Sequence, residues 1–125
     1  MDETAKLKKV KKLEAQSWKD SKTMESLQRE IVDILEKVLE QNPKNAVALT
    51  NLGAMYSNSA RYEEALVLLE NAQKLGFEDQ NLYFNIGVVY VGLEQDRKAI
   101  KYFKMSQSLK PNKLTFKAYI DFHAL

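Results

Sequence analysis

Few side chains of this 125-residue sequence have the types and spacing that covalent chemistry requires. Its one histidine, His123, has Asp121 nearby but no neighbouring serine and no further metal-type ligand, so neither a catalytic nor a metal role follows. Glu63 and Glu64 could suggest paired acid–base work. Adjacent helical residues point about 100° apart, however, and a solvated face accounts for them. The chain has no cysteine, which removes disulfides, zinc knuckles and thiol catalysis. A glycine-rich phosphate loop, GxSxG and HExxH are all missing as well. No enzyme, cofactor or metal site is expected. The pattern that does have a use is a pair of amides, Asn51 and Asn85, 34 residues apart. An asparagine side chain both donates and accepts, which suits an extended peptide backbone.

The elements that must position these amides are helices. Hydrophobic residues make up 45% of the chain and charged ones 29%, the profile of a folded soluble protein. Two prolines and four glycines offer too little turn chemistry for a β-rich domain. Apolar residues instead recur every three or four positions, most clearly at Met24, Leu27, Ile31, Ile34, Leu35, Val38 and Leu39. The fold class is all-α. No apolar run approaches the roughly 20 residues of a membrane span, and the Lys-rich N-terminus lacks a secretory stretch. A cytoplasmic protein is expected, with export open for a chain whose leader has been removed. A net charge of +2 argues against a nucleic-acid partner. The basic run Lys6, Lys8, Lys9, Lys11 and Lys12 is offset by Asp2, Glu3 and Glu14, and reads as a solvated helix face rather than a membrane or nucleic-acid contact.

The sequence also repeats. Shifted by 34 residues, positions 45–76 align with 79–110, with identities at Asn51/Asn85, Gly53/Gly87, Tyr56/Tyr90, Ala65/Ala99, Gln73/Gln107 and Leu75/Leu109. A fixed period of this length indicates a stack of like helical units. The pattern Leu49-x2-Leu52-Gly53-x2-Tyr56, repeated as Tyr83-x2-Ile86-Gly87-x2-Tyr90, resembles the first helix of the tetratricopeptide repeat family. Ala65-x3-Leu69 and Ala99-x3-Phe103 resemble its second helix, and Pro111 its closing proline, which Phe77 replaces one unit earlier. The resemblance implies a right-handed superhelical α-solenoid of about seven helices. Residues 1–42 form a degenerate first repeat or capping pair (helices near 4–19 and 22–41), and 43–113 hold full units at 46–79 and 80–113. Residues 114–125 then make a C-terminal capping helix or the start of a further repeat. Gly53 and Gly87, each costing about 1 kcal/mol of helix propensity, imply close approach between paired helices, with Ala65 and Ala99 as the small residues opposite.

Residues 45–60 and 80–93 carry no charge, whereas the second helices are charged, so the first helices should be enclosed on both sides. Away from the signature residues they present Val47, Thr50, Asn51, Ala54 and Asn58, then Asn81, Phe84, Asn85 and Val88. In the resembled family that face is the concave ligand groove, which implies a protein–protein interaction module. The amide and apolar chemistry here suits a neutral, partly apolar segment, either an extended strand or an amphipathic helix, of a partner that the chain would serve as adaptor, assembly factor or chaperone-like scaffold. Some family members clamp a peptide's terminal carboxylate with lysine, asparagine and arginine. The corresponding places are Thr50, Ala54, Asn85, Thr115 and Tyr119, or one unit earlier Gln16, Asp20, Asn51, Asn81 and Asn85. Neither set contains a cation, so that mode is not expected. The alternative role is structural. A C-terminal helix with Phe116, Tyr119 and Ile120 on one side and Phe122 and Leu125 on another would leave an apolar face for homo-oligomer formation.

Overall fold

Helix starts are set by local capping. Asp2, Asn45 and Asp79 each precede a helix in an extended conformation, and their side chains accept the N–H of Ala5, Ala48 and Leu82 at 2.7, 2.9 and 3.0 Å. Each cap satisfies one of the donors that a first helical turn leaves free. The computed structural model describes residues 1–19 and 21–121. Its helices are α1 (Glu3–Ser17), α2 (Ser21–Gln41), α3 (Ala46–Asn58), α4 (Tyr62–Lys74), α5 (Gln80–Gly92) and α6 (Asp96–Gln107), and the described residues contain no strand. α1 lies against α2, α3 against α4 and α5 against α6. Contacts of α2 with α3, α4 with α5 and α3 with α5 join the pairs into a helical repeat solenoid.

The turns inside the second and third pairs are built alike. Ala60 and Glu94, 34 residues apart, take left-handed φ values of 59° and 60°. The following N–H groups of Arg61 and Gln95 reach back to the Tyr56 and Tyr90 carbonyls at 2.9 and 2.8 Å, closing each helix. The mid-helix glycines are also explained by contact. A Cβ on Gly53 would lie 2.5 Å from the Leu69 side chain, and one on Gly87 2.6 Å from the Phe103 ring. A side chain at either glycine would therefore force Leu69 or Phe103 to shift. Ala65 and Ala99 are buried as expected, but the space each glycine leaves is filled by the bulky residue one turn further along.

Two apolar clusters form the core. Leu49, Ala65, Leu69, Ala72, Leu82, Ile86 and Val89 fill the space among α3, α4 and α5. The other cluster joins Leu7 and Val10 of α1, Ile31, Leu35 and Val38 of α2, and Ala54 and Val88 of the inner helices to Phe116 and Ala118. The last two residues correct the sequence reading. The expected C-terminal helix is absent over residues 114–121, so the described chain has six helices rather than about seven. After Pro111, Asn112 makes a turn, its side chain accepting the Leu114 N–H at 2.8 Å and its carbonyl the Thr115 hydroxyl at 3.1 Å. The chain then doubles back as an extended tail. Phe122, His123 and Leu125 lie outside the described residues.

Candidate functional site

The first helices of the three pairs, α1, α3 and α5, surround a groove, and the extended tail runs along it. Two asparagines hold the tail in the same way. Asn51 donates to the Leu114 carbonyl at 2.9 Å and accepts the Phe116 N–H at 3.0 Å. Asn85 donates to the Phe116 carbonyl at 3.0 Å and accepts the Ala118 N–H at 2.7 Å. Each side-chain amide thus bonds the carbonyl of one residue and the N–H two residues on, as a neighbouring β-strand would. One step of the 34-residue repeat corresponds to two residues of tail. Both amides are fully buried, so the main-chain groups they satisfy would otherwise be unpaired in the interior.

Other groups fix the two ends. At the entry, the Asp79 carboxylate accepts the Asn112 N–H, and Asn81 donates to the Thr115 carbonyl at 3.2 Å and hydroxyl at 3.0 Å. The Lys11 ammonium of α1 donates to the same carbonyl. At the exit, Asn58 accepts the Tyr119 N–H at 2.7 Å, and the Tyr119 ring stacks on Trp18, at the end of α1, with centroids 5.6 Å apart. Beyond Thr115, which is also buried, the tail side chains alternate. Phe116 and Ala118 are buried, and Leu114 and Ile120 pack against the same cluster, while Lys117 and Tyr119 face outward.

Two models described as Tetratricopeptide repeat match residues 34–67 and 80–113, together more than half of the chain. The chain belongs to the tetratricopeptide repeat family. Such repeats generally mediate protein–protein interaction, and the family is typically a non-enzymatic scaffold. No curated protein matches this tetratricopeptide chain. The second match coincides with α5, α6 and the turn beyond them, whereas the first begins within α2 and ends within α4.

Most groove residues expected from the sequence meet at this place. Asn51, Asn58, Asn81 and Asn85 bond the tail directly. Ala54 and Val88 belong to the cluster that buries Phe116 and Ala118, with Val47 and Phe84 partly buried against it. Phe84 also touches the tail through Lys117, whose ammonium sits 5.0 Å from the ring centre. Thr50 is the exception. Although buried, its hydroxyl donates to the Ala46 carbonyl of its own helix at 2.8 Å and brings no donor to the tail.

The residues expected to form a self-association face are arranged differently. Phe116 and Ile120 turn into the chain's own groove, and Tyr119 is held on Trp18. Sequence reading missed the contribution of α1. Lys11 belongs to a run taken as a solvated face, and Trp18 is the chain's one tryptophan, a signal that could have marked an aromatic contact. Of the carboxylate-clamp places, Asp20 lies outside the described residues, and Thr115 and Tyr119 are part of the tail itself.

Among the described residues, the titrating groups that depart from their ordinary values are not those that bond the tail. Burial pushes the Tyr83 and Tyr90 hydroxyls up, with Glu78 adding to the first and Tyr102 to the second. These two rings stack with Tyr102, between α5 and α6. Most bonds between tail and helices come from amides, with Lys11 and Asp79 as charged exceptions. Among the described residues, no helix is long and apolar enough to cross a membrane.

Proposed function

We propose that the concave groove is a receptor for an extended, neutral and partly apolar polypeptide segment, which it grips by the main chain. The two tetratricopeptide units are taken as 46–79 and 80–113, with the α1–α2 pair as a degenerate unit that completes the wall. The observation that carries this reading is the pair of identical amide clamps at Asn51 and Asn85, each holding a carbonyl and the N–H two residues beyond it. A helical occupant does not fit, because a helix already bonds its main-chain groups internally. An extended chain exposes them at the two-residue spacing the clamps require.

A displayed peptide library tests the reading when panned against the full chain with its tail loosened by Phe116→Asp. Neutral, partly apolar sequences should be recovered. The same protein with Asn51→Ala and Asn85→Ala added, at equal helical content by circular dichroism, should retain none. Recovery of the same sequences by both proteins would overturn the proposal.

A further inference from the structure

The chain supplies its own occupant, and the fit of that occupant describes what could replace it. Resting on the groove reading above, we infer that the partner is an extended segment with the tail's alternation, and that it binds by displacing residues 114–121. The alternation is an apolar residue, then an aromatic, a small residue and a second apolar residue, each two positions after the last, as in Leu114, Phe116, Ala118 and Ile120.

Three observations carry this. The clamps touch only main chain, so the selectivity that remains comes from the side chains facing the core. Phe116 and Ala118 are 3% and 4% exposed, in one cluster with Ala54 and Val88, whereas Lys117 points out and Tyr119 is 56% exposed. The inward positions therefore discriminate, as does Thr115, which is fully buried with its hydroxyl on Asn81, and the exposed positions 117 and 119 tolerate change.

The tail also leaves the groove incompletely filled. A cleft of about 520 Å³ remains at the entry beside Lys11, Glu14, Asn81 and Lys113. A second of about 260 Å³ lies at the exit beside Ser57, Asn58 and Gly92. The Ser57 hydroxyl is buried there with no hydrogen-bond partner among the described residues. The tail itself forms part of the wall of each cleft, so what a longer segment would gain is contact with the helix side, Lys11 and Glu14 at the entry and Ser57 and Gly92 at the exit.

The tether is the third observation. Residues 108–113 join α6 to the tail, anchored at Gln80, which binds the Leu109 and Lys110 carbonyls, and at Asp79. So short a link presents the tail at an effective concentration on the order of millimolar. A free segment competes against that, and the wild-type chain should bind it weakly.

The test uses the full chain and a synthetic peptide copying residues 112–120 with Tyr119→Ala. Trp18, the one tryptophan, stacks on Tyr119 and reports release of the tail by its fluorescence. Titrating the peptide into wild-type protein should change Trp18 emission saturably at high concentration. The Phe116→Asp chain should bind a labelled peptide at least about tenfold more tightly, since its own tail no longer competes. A shuffled peptide that breaks the alternation should bind neither.

If Phe116→Asp loses helical content, Ala118→Asp takes its place, and the wild-type titration stands by itself. Equal affinity for wild type and variant, or equal binding of the shuffled peptide, would overturn the inference while leaving the groove reading intact. Failure of every form to bind any peptide would overturn both. A wild-type dimer whose tails occupy each other's grooves would also contradict it, because the occupant would then be a second copy.

Discussion

The two full repeats share a frame and differ in what they present to the groove. α3–α4 and α5–α6 place equivalent residues at the helix cap (Asn45, Asp79), the tight contact (Gly53, Gly87), the left-handed turn (Ala60, Glu94) and the amide clamp (Asn51, Asn85). On either side of the clamp they diverge. Val47 stands where the later unit has Asn81, and Asn58 where it has Gly92. Asn81 binds the tail at its entry and Asn58 at its exit. Repeated positions thus build the stack and grip the middle of the strand, while its ends and hence its direction are fixed by unrepeated ones together with Asp79, whose counterpart Asn45 bonds Glu3 instead.

The comparison can be broken first at the glycines. Gly53→Leu and Gly87→Leu should each destabilise by about 3 kcal/mol, because the added side chain overpacks against Leu69 or Phe103. Thermal melts should show a fall of roughly 10 °C for each. A large loss at one glycine and none at the other would mean that the frame is not shared.

The clamps come next. Asn51→Ala and Asn85→Ala each leave a buried carbonyl and N–H unpaired and should lose about 2 kcal/mol by urea denaturation, with similar values for the two. The end contacts should matter less. Asn81→Val, which copies the earlier unit, should lose about 1 kcal/mol, since the Thr115 carbonyl keeps Lys11. A loss as large as that at the clamps would contradict the division into middle and ends.

The smallest effect has the opposite sign. Ala60→Gly and Glu94→Gly should each add about 0.5–1 kcal/mol by relieving a left-handed side-chain conformation. Equal gains would confirm that the turns are equivalent.

The helices, the repeat and the groove asparagines were legible because each rests on local or periodic signals. Uncharged first helices, glycines one period apart and amides in phase all survive in the structure. The tail was misread because its residues support two periods. Phe116, Tyr119 and Ile120 fall on one side of a helix, yet Leu114, Phe116, Ala118 and Ile120 alternate as a strand. Period alone does not decide between them. Asn112 begins a turn, and the extended form gains partners for its main chain from residues more than 30 positions away in sequence, chiefly asparagines. Such long-range satisfaction leaves no local trace. The contribution of Lys11 was hidden for the same reason, since four other lysines surround it in sequence and it is Lys11 that reaches the Thr115 carbonyl.

Residue-resolved amide hydrogen exchange tests the clamps most directly, in the wild-type chain and in the full chain carrying Asn51→Ala and Asn85→Ala. The Phe116 and Ala118 amides should be protected in the wild type. In the variant they should exchange at the rate of an unstructured peptide, while the Leu52 and Met55 amides of α3 stay protected. Rapid exchange at Phe116 and Ala118 in the wild type, or protection there that survives loss of both asparagines, would contradict the account.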